Sequence, residues 1–160
     1  IEWSPDGKVL FLVNHTPMSG INEPESSPLF DLSAYILPSG PLVKLVSQTG
    51  MFAYPSMSKG LTDNQTWIAH LEAIFPEQSE NSRYRLVVMQ LDGSNRKVIF
   101  PPDGGTGLDP QKVVWSPATS STGLSFVGFI YQGNVWLFST EDWQPRQVTG
   151  DGLITRIDWK

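Results

Sequence analysis

Two histidines, His15 and His70, are the only imidazoles in the 160-residue chain. A metal pair takes a second histidine two or four positions on, and neither has one. His15 follows an apolar run at the mouth of a loop, and His70 sits inside such a run beside Leu71. They read as a surface residue and a core residue. Serine-hydrolase chemistry needs a nucleophile on a strained turn, in the pattern Gly-x-Ser-x-Gly. The nearest approach, Gly123-Leu124-Ser125-Phe126-Val127-Gly128, misses that spacing and lies in a strand-like run. There is no cysteine, which removes disulfides, thiolate metal sites and cysteine nucleophiles together. Asp103-Gly104-Gly105 lacks the Lys-Ser/Thr that completes a phosphate loop. Asp92-Gly93-Ser94-Asn95 lacks the ligand spacing of an EF-hand and reads as a hairpin turn. The carboxylate pairs Glu23/Glu25 and Glu141/Asp142 stand on loops, where nothing sets the separation that glycoside hydrolysis demands. Asn14-His15-Thr16 and Asn64-Gln65-Thr66 match the N-glycosylation pattern, which matters only in a eukaryotic secretory setting. The chain is therefore expected to carry no catalytic residue, no cofactor and no metal.

Charge narrows the partners. Eleven Lys and Arg against 16 Asp and Glu give a net charge of −5. The basic residues are scattered, so the clustered positive face that nucleic acid requires is not expected. No apolar run approaches the roughly 20 residues of a membrane-spanning helix. The chain opens on Ile1 with no initiator Met and no signal peptide, as expected of a processed product or a fragment. With 39% hydrophobic and 17% charged residues it is globular, and 14 Gly with 13 Pro suit many short strands joined by tight turns.

Those strands repeat. IEWSPDGKVLFLV (1–13), YPSMSKGLTDNQTWIAHL (54–71), VVWSPATSSTGLSFVGFIY (113–131) and RIDWK (156–160) align with Trp3, Met57, Trp115 and Trp159 in one phase. The later parts recur too, in DLSAYILPSGPLVKLVSQTG (31–50), YRLVVMQLDGSNRKVIFPPDG (84–104) and GNVWLFSTEDWQPRQVTGDG (133–152). Each is a β-rich run, a polar turn, a shorter run and a Gly. Every repeat therefore parses as four strands. The first holds 1–4, 8–13, 30–37 and 42–46. The second holds 51–57, 66–72, 83–91 and 95–100. The third holds 111–115, 124–131, 134–139 and 145–149. A last strand, 153–159, starts a fourth repeat. WIAHLEAIF (67–75) also fits a short helix, with Trp67, Ile68, Leu71 and Ile74 on one side, but its counterparts in the other repeats read as strands.

Four-stranded repeats of 40 to 60 residues, each with a large apolar residue ending its first strand, suggest propeller blades. WSPDGK (3–8), YPSMS (54–58) and VVWSP (113–117) resemble the TolB-type propeller repeat, and VVMQLDGSNRKVI and VWLFSTEDWQPRQVT resemble its third and fourth strands. Met57 stands where the repeat has Trp, Lys59-Gly60 replaces Pro-Asp-Gly, and ATSSTG follows Pro117. The fold expected is an all-β propeller segment of three antiparallel blades, 1–50, 51–110 and 111–152, with a next blade beginning at 153–160. The resemblance implies a non-enzymatic scaffold for protein–protein contact, extracytoplasmic or periplasmic, as TolB-type propellers sit in the bacterial envelope. Similar repeats form the non-catalytic propeller of prolyl oligopeptidase-like hydrolases, and a carbohydrate-binding propeller is a third reading.

The motif residues have structural roles in this scheme. Trp3 and Trp115 wedge between adjacent blades. Ser4, Pro5, Asp6 and Gly7 turn the chain into the second strand, as Ser116 and Pro117 do in the third repeat, and Trp159 marks the next. Strand order then puts the loops between second and third strands on the same end as the links between blades. The long insertions fall there: 14–28, with Asn14, His15, Glu23 and Glu25, and 73–82, with Ile74, Phe75 and Glu77. The link PPDGGTGLDP (101–110) joins them, and this end is the candidate binding surface. Three blades leave two bare sheet faces, so the remaining blades of a longer propeller or a second copy are expected to cover them.

Overall fold

The computed structural model describes residues 1–4, 6–59, 66–117 and 124–159. Pro5, residues 60–65 with the sequon residues Asn64 and Gln65, residues 118–123 and Lys160 lie outside them. Among the described residues, twelve strands form three four-stranded antiparallel sheets, each of four consecutive strands paired in chain order. Sheet one holds β1 (Glu2–Trp3), β2 (Val9–His15), β3 (Phe30–Ile36) and β4 (Leu42–Val46). Sheet two holds β5 (Ser56–Met57), β6 (Trp67–Ala73), β7 (Tyr84–Gln90) and β8 (Lys97–Phe100). Sheet three holds β9 (Val114–Trp115), β10 (Phe126–Tyr131), β11 (Asn134–Ser139) and β12 (Arg146–Gln147). The 67–75 stretch that also fitted a helix is a strand as far as Ala73, because β7 pairs with it residue for residue from Trp67↔Gln90 to Ala73↔Tyr84. Among the described residues no helix is long and apolar enough to cross a membrane.

The first strands are shorter than their sequence runs, and one serine explains where they stop. Ser4 donates its N–H to Val9 O at 2.8 Å, and its Oγ accepts from Val9 N at 2.9 Å. Ser58 does the same with Trp67, and Ser116 with Phe126. All three serines are buried. In each sheet this residue clips the first strand to the start of the second just after the large apolar residue. In the first turn Ser4 also donates to Asp6 Oδ1 at 2.6 Å, and Gly7 takes a positive φ of 71°.

The sheets pack face to face. Val9, Phe11, Leu32 and Ala34 of sheet one meet Ile68 and Met89 of sheet two. The opposite face of sheet two, with Leu71, Leu86, Val88 and Phe100, meets Val127, Phe129 and Phe138 of sheet three. Central strands buried on both faces lose the apolar–polar alternation of half-buried ones, and LVVM (86–89) is buried throughout for that reason. Trp115 lies in this second contact, and its Nε1–H donates to Ser56 O at 3.2 Å, joining sheets two and three. Trp3 holds the same phase at sheet one. It shares a face with Leu10 on the side of sheet one away from sheet two, and it is 52% exposed.

Residues 153–159 differ from expectation: they form no strand. A first strand of this repeat is held by a second strand beside it, and this segment has none. It lies against the outer face of sheet three. Ile157 Cδ1 sits over Gly128, and the Trp159 ring stacks on Phe126 with centroids 6.4 Å apart.

Candidate functional site

Both long loops rise at one end of the sheets, together with the links that join one sheet to the next. The first spans residues 16–29 and is closed by Thr16 N–H to Leu29 O at 2.8 Å. His15 anchors it, since Nδ1–H donates to Ser27 O at 2.8 Å and the ring lies 4.4 Å from that of Phe30. Asn14 is exposed and bonds locally, donating to His15 O and accepting from Ser33 Oγ. Glu23 precedes a 3₁₀ turn, Pro24–Ser26, and Glu25 lies within it, both exposed.

The second loop, residues 74–83, is closed by Ile74 N–H to Arg83 O at 2.8 Å. It turns through a 3₁₀ segment at Pro76–Gln78. The phenol of Tyr84, wholly buried, donates to Ser79 O at 2.7 Å and accepts from Phe52 N at 3.4 Å. Ser79 Oγ accepts from Met51 N at 3.3 Å, so the loop is bound to the link between sheets one and two. Gly50 permits that approach. A Cβ there would meet Ala73 Cβ at 2.7 Å and Ser79 Cβ at 2.9 Å, and its φ is +88°. The two apolar residues of this loop part ways: Ile74 turns inward against Gly107, and Phe75 is 63% exposed. Tyr84 pairs with Leu108, which brings the 101–110 link to the same end.

Tyr84→Phe keeps the ring and removes the phenol that serves both Ser79 and Phe52. A loss of about 1–2 kcal/mol is expected, with faster amide exchange over 74–83. Urea denaturation and hydrogen exchange read both, and an unchanged midpoint would detach the loop from its proposed anchor.

Asp31 fastens the base of the first loop. It is 1% exposed and accepts from Thr16 Oγ1 at 2.6 Å and from Gln48 N at 3.1 Å, with Lys44 Nζ at 3.2 Å. Burial pushes its carboxyl up, but the hydrogen bonds from Thr16 and Gln48 and the Lys44 charge more than offset this and hold it below the ordinary value. One acid inside the apolar run PLFDLSAY was the available sequence signal.

A groove runs between these loops. Its outer part is a cavity of about 350 Å³ lined by Pro28 of the first loop, Phe30, Met51 of the link and Glu77–Asn81 of the second loop. Its inner part, about 340 Å³, shares Phe30 and Met51 and is also lined by Val13, Tyr54, Pro55, Ile1, Glu2 and Lys112. There Lys112 Nζ pairs with Glu2 Oε2 at 2.7 Å, tying sheet three to sheet one at their first strands. A further cavity, about 560 Å³, lies between the 106–111 link and the Gln132-Gly133 turn. Its polar walls are engaged with each other: Arg83 with Asp109, Thr106 with Tyr131, and the Gln111 amide with both N–H and O of Ile130 at 2.7 Å.

Glu77 thus lines the groove. Asn14, His15, Glu23, Glu25, Ile74 and Phe75 do not, although they share its end of the molecule. Sequence reasoning missed Phe30, Met51, Tyr54 and Lys112, which come from strand ends and links rather than from insertions.

Among the described residues there is one histidine–carboxylate pair. His70 Nε2 lies 2.8 Å from Glu72 Oε1, and Arg96 bonds the same carboxylate. A carboxylate only accepts, so Nε2 carries the hydrogen. The ring is wholly buried and its Nδ1 has no hydrogen-bond partner. A general base must reach a substrate proton, and this one faces sheet one from inside the molecule. Among the described residues no group of three or more His, Asp or Glu side chains could hold a metal ion.

Comparisons with protein-family models, curated proteins and solved structures found no match. The functional reading therefore rests on the geometry and on the repeat motif.

Proposed function

We propose that the chain is a β-propeller segment of three blades and the start of a fourth, serving without catalysis as a scaffold for protein–protein contact. TolB-like propellers of the bacterial envelope are the nearest analogy, and an extracytoplasmic location follows from that analogy. The observation that carries the binding role is the convergence of both long loops on one end, where they rim a common groove. Loops braced on rigid sheets are where recognition concentrates. The two loops hold Glu23, Glu25, Glu77 and Glu80, and their one basic residue, Arg83, is paired with Asp109, so the partner presents positive charge there.

The propeller arrangement is supported by the repeated face-to-face stacking and by the open outer faces. On sheet one Trp3 and Leu42 stay exposed, and they align through Trp3↔Leu10, Leu10↔Tyr35 and Tyr35↔Leu42 on one face. Further blades or a second copy cover that face in a closed ring.

Replacing Phe75, Glu77 and Glu80 together by serine spares the anchors Ser79, Ser82 and Tyr84. The variant is expected to keep its urea midpoint and to capture its native partner, identified by cross-linking and mass spectrometry, at least tenfold less well. Undiminished capture would remove the loop end from the binding role.

A further inference from the structure

From the groove we infer the form of what binds, and the inference rests on the proposed loop-end contact surface. We propose that the groove takes an extended peptide segment of the partner, with apolar side chains against Phe30 and Met51 and a basic residue at its outer end.

Three observations lead there. The two cavities share Phe30 and Met51 in their linings, so they lie side by side along the loop end. Each is near the lower size of a ligand pocket, which admits a few side chains and no folded element. The shared lining is apolar and in reach: Met51 is 37% exposed and Phe30 is half-buried. Apolar groups there lose little on covering, and an extended chain presents alternate side chains to such a surface.

The charges orient the segment. The outer cavity carries Glu77 and Glu80, and neither has an ion-pair partner among the described residues. Arg83, the nearest cation in sequence, is held by Asp109. At the inner end Lys112 is already engaged by Glu2. The unmatched charge of the groove is therefore negative and confined to one end, and a lysine or arginine of the ligand complements it. Anchors from separate elements hold the walls in place. Ser79 binds the Met51 backbone, Tyr84 binds Ser79, and His15 with Asp31 fixes the loop that ends at Pro28 and Phe30. A preformed groove does not spend binding energy on ordering itself.

The test pans a random twelve-residue peptide phage library on the intact chain and measures the enriched peptides, made synthetically, by fluorescence anisotropy. Enriched sequences are expected to place Lys or Arg beside two or more apolar residues. Their affinity is expected to fall at least tenfold for Glu77→Lys/Glu80→Lys and at least fivefold for Met51→Glu, and to weaken with added salt. Both are exposed positions, and unchanged urea midpoints show that the variants fold. No enrichment, or binding to both variants within twofold of the parent chain, overturns the proposal. So does self-association of the parent chain that Glu77→Lys/Glu80→Lys abolishes, because the groove would then belong to a second copy. Native-partner capture separates the two readings. If it is lost in the Phe75/Glu77/Glu80 serine variant while these peptide criteria fail, the loop end binds but the groove does not.

Discussion

Glu72→Ala is expected to cost about 3 kcal/mol of stability, at the lower end of the range for breaking a buried pair. β6 places His70 and Glu72 two residues apart, on one face of sheet two, the face turned toward sheet one. Glu72 accepts from His70 Nε2 at 2.8 Å and from Arg96 Nε at 3.1 Å. Without the carboxylate, the imidazole is wholly buried with neither nitrogen paired. Arg96, its side chain 44% exposed, can turn to water, which keeps the loss from reaching the upper end. Glu72→Gln retains the shape and loses the charge, so its cost is smaller.

The same carboxylate makes stability depend on pH. Burial pushes Glu72 up, but the hydrogen bonds and charges of His70 and Arg96 outweigh it and hold the group below its ordinary 4.5. A folded-state value below the unfolded one adds stability that is complete above the unfolded value. It is lost as pH falls through the folded one. Asp31 behaves alike from its ordinary 3.8. Urea midpoints measured from pH 7 down to pH 3 are expected to fall in the parent chain, with a shallower fall in Glu72→Gln. Parallel curves together with a loss under 1 kcal/mol in Glu72→Ala would show that the pair is not a structural element.

Phe129→Ala is expected to cost about 4 kcal/mol, within the range for emptying a buried aromatic site. The ring is wholly buried, 4.9 Å from Phe100 of sheet two and 5.6 Å from Phe138 of its own sheet. Tyr131 and Trp136 close on Phe100 from the same side. The cavity opens at the junction of two sheets, and neither covers its own inner face alone. The loss is therefore expected as one cooperative shift, seen at the same urea concentration by tryptophan fluorescence and by far-ultraviolet dichroism. Two separated transitions would mean that sheet three melts as an independent unit, and the stacked arrangement would fail with it.

Much of the architecture was legible because local chemistry repeats. Alternating or continuous apolar runs of four to eight residues, set off by Asp-Gly, Ser-Gly and Pro, place the strands of each sheet to within a few residues. The serine after Trp3, Met57 and Trp115 looked like turn punctuation. It is a buried clip whose Oγ accepts a strand-two N–H each time. The loop end was legible too, since antiparallel order alone assigns 14–28, 73–82 and 101–110 to one side. Residues 153–159 went the other way. Their composition matches Ile1-Glu2-Trp3, but a strand exists only where a neighbour supplies hydrogen-bond partners.

The groove and the buried ionic cluster had no such signal. Phe30, Met51 and Lys112 lie far apart along the chain, and nothing periodic links them. Trp3 and Trp115 occupy the same phase with different fates: both face back along the stack, where Trp115 meets sheet two and Trp3 meets no described sheet. His70 read as a lone core histidine, and Arg96, 24 residues beyond Glu72, makes it part of a network. Short-range pattern settled which segments are strands, how they pair and at which end the loops stand, since turns and neighbouring strands are local interactions. Which faces are buried, which loops meet and which charges stay unmatched depended on how the sheets stack. That stacking is set by contacts between residues tens of positions apart, which no window of sequence contains.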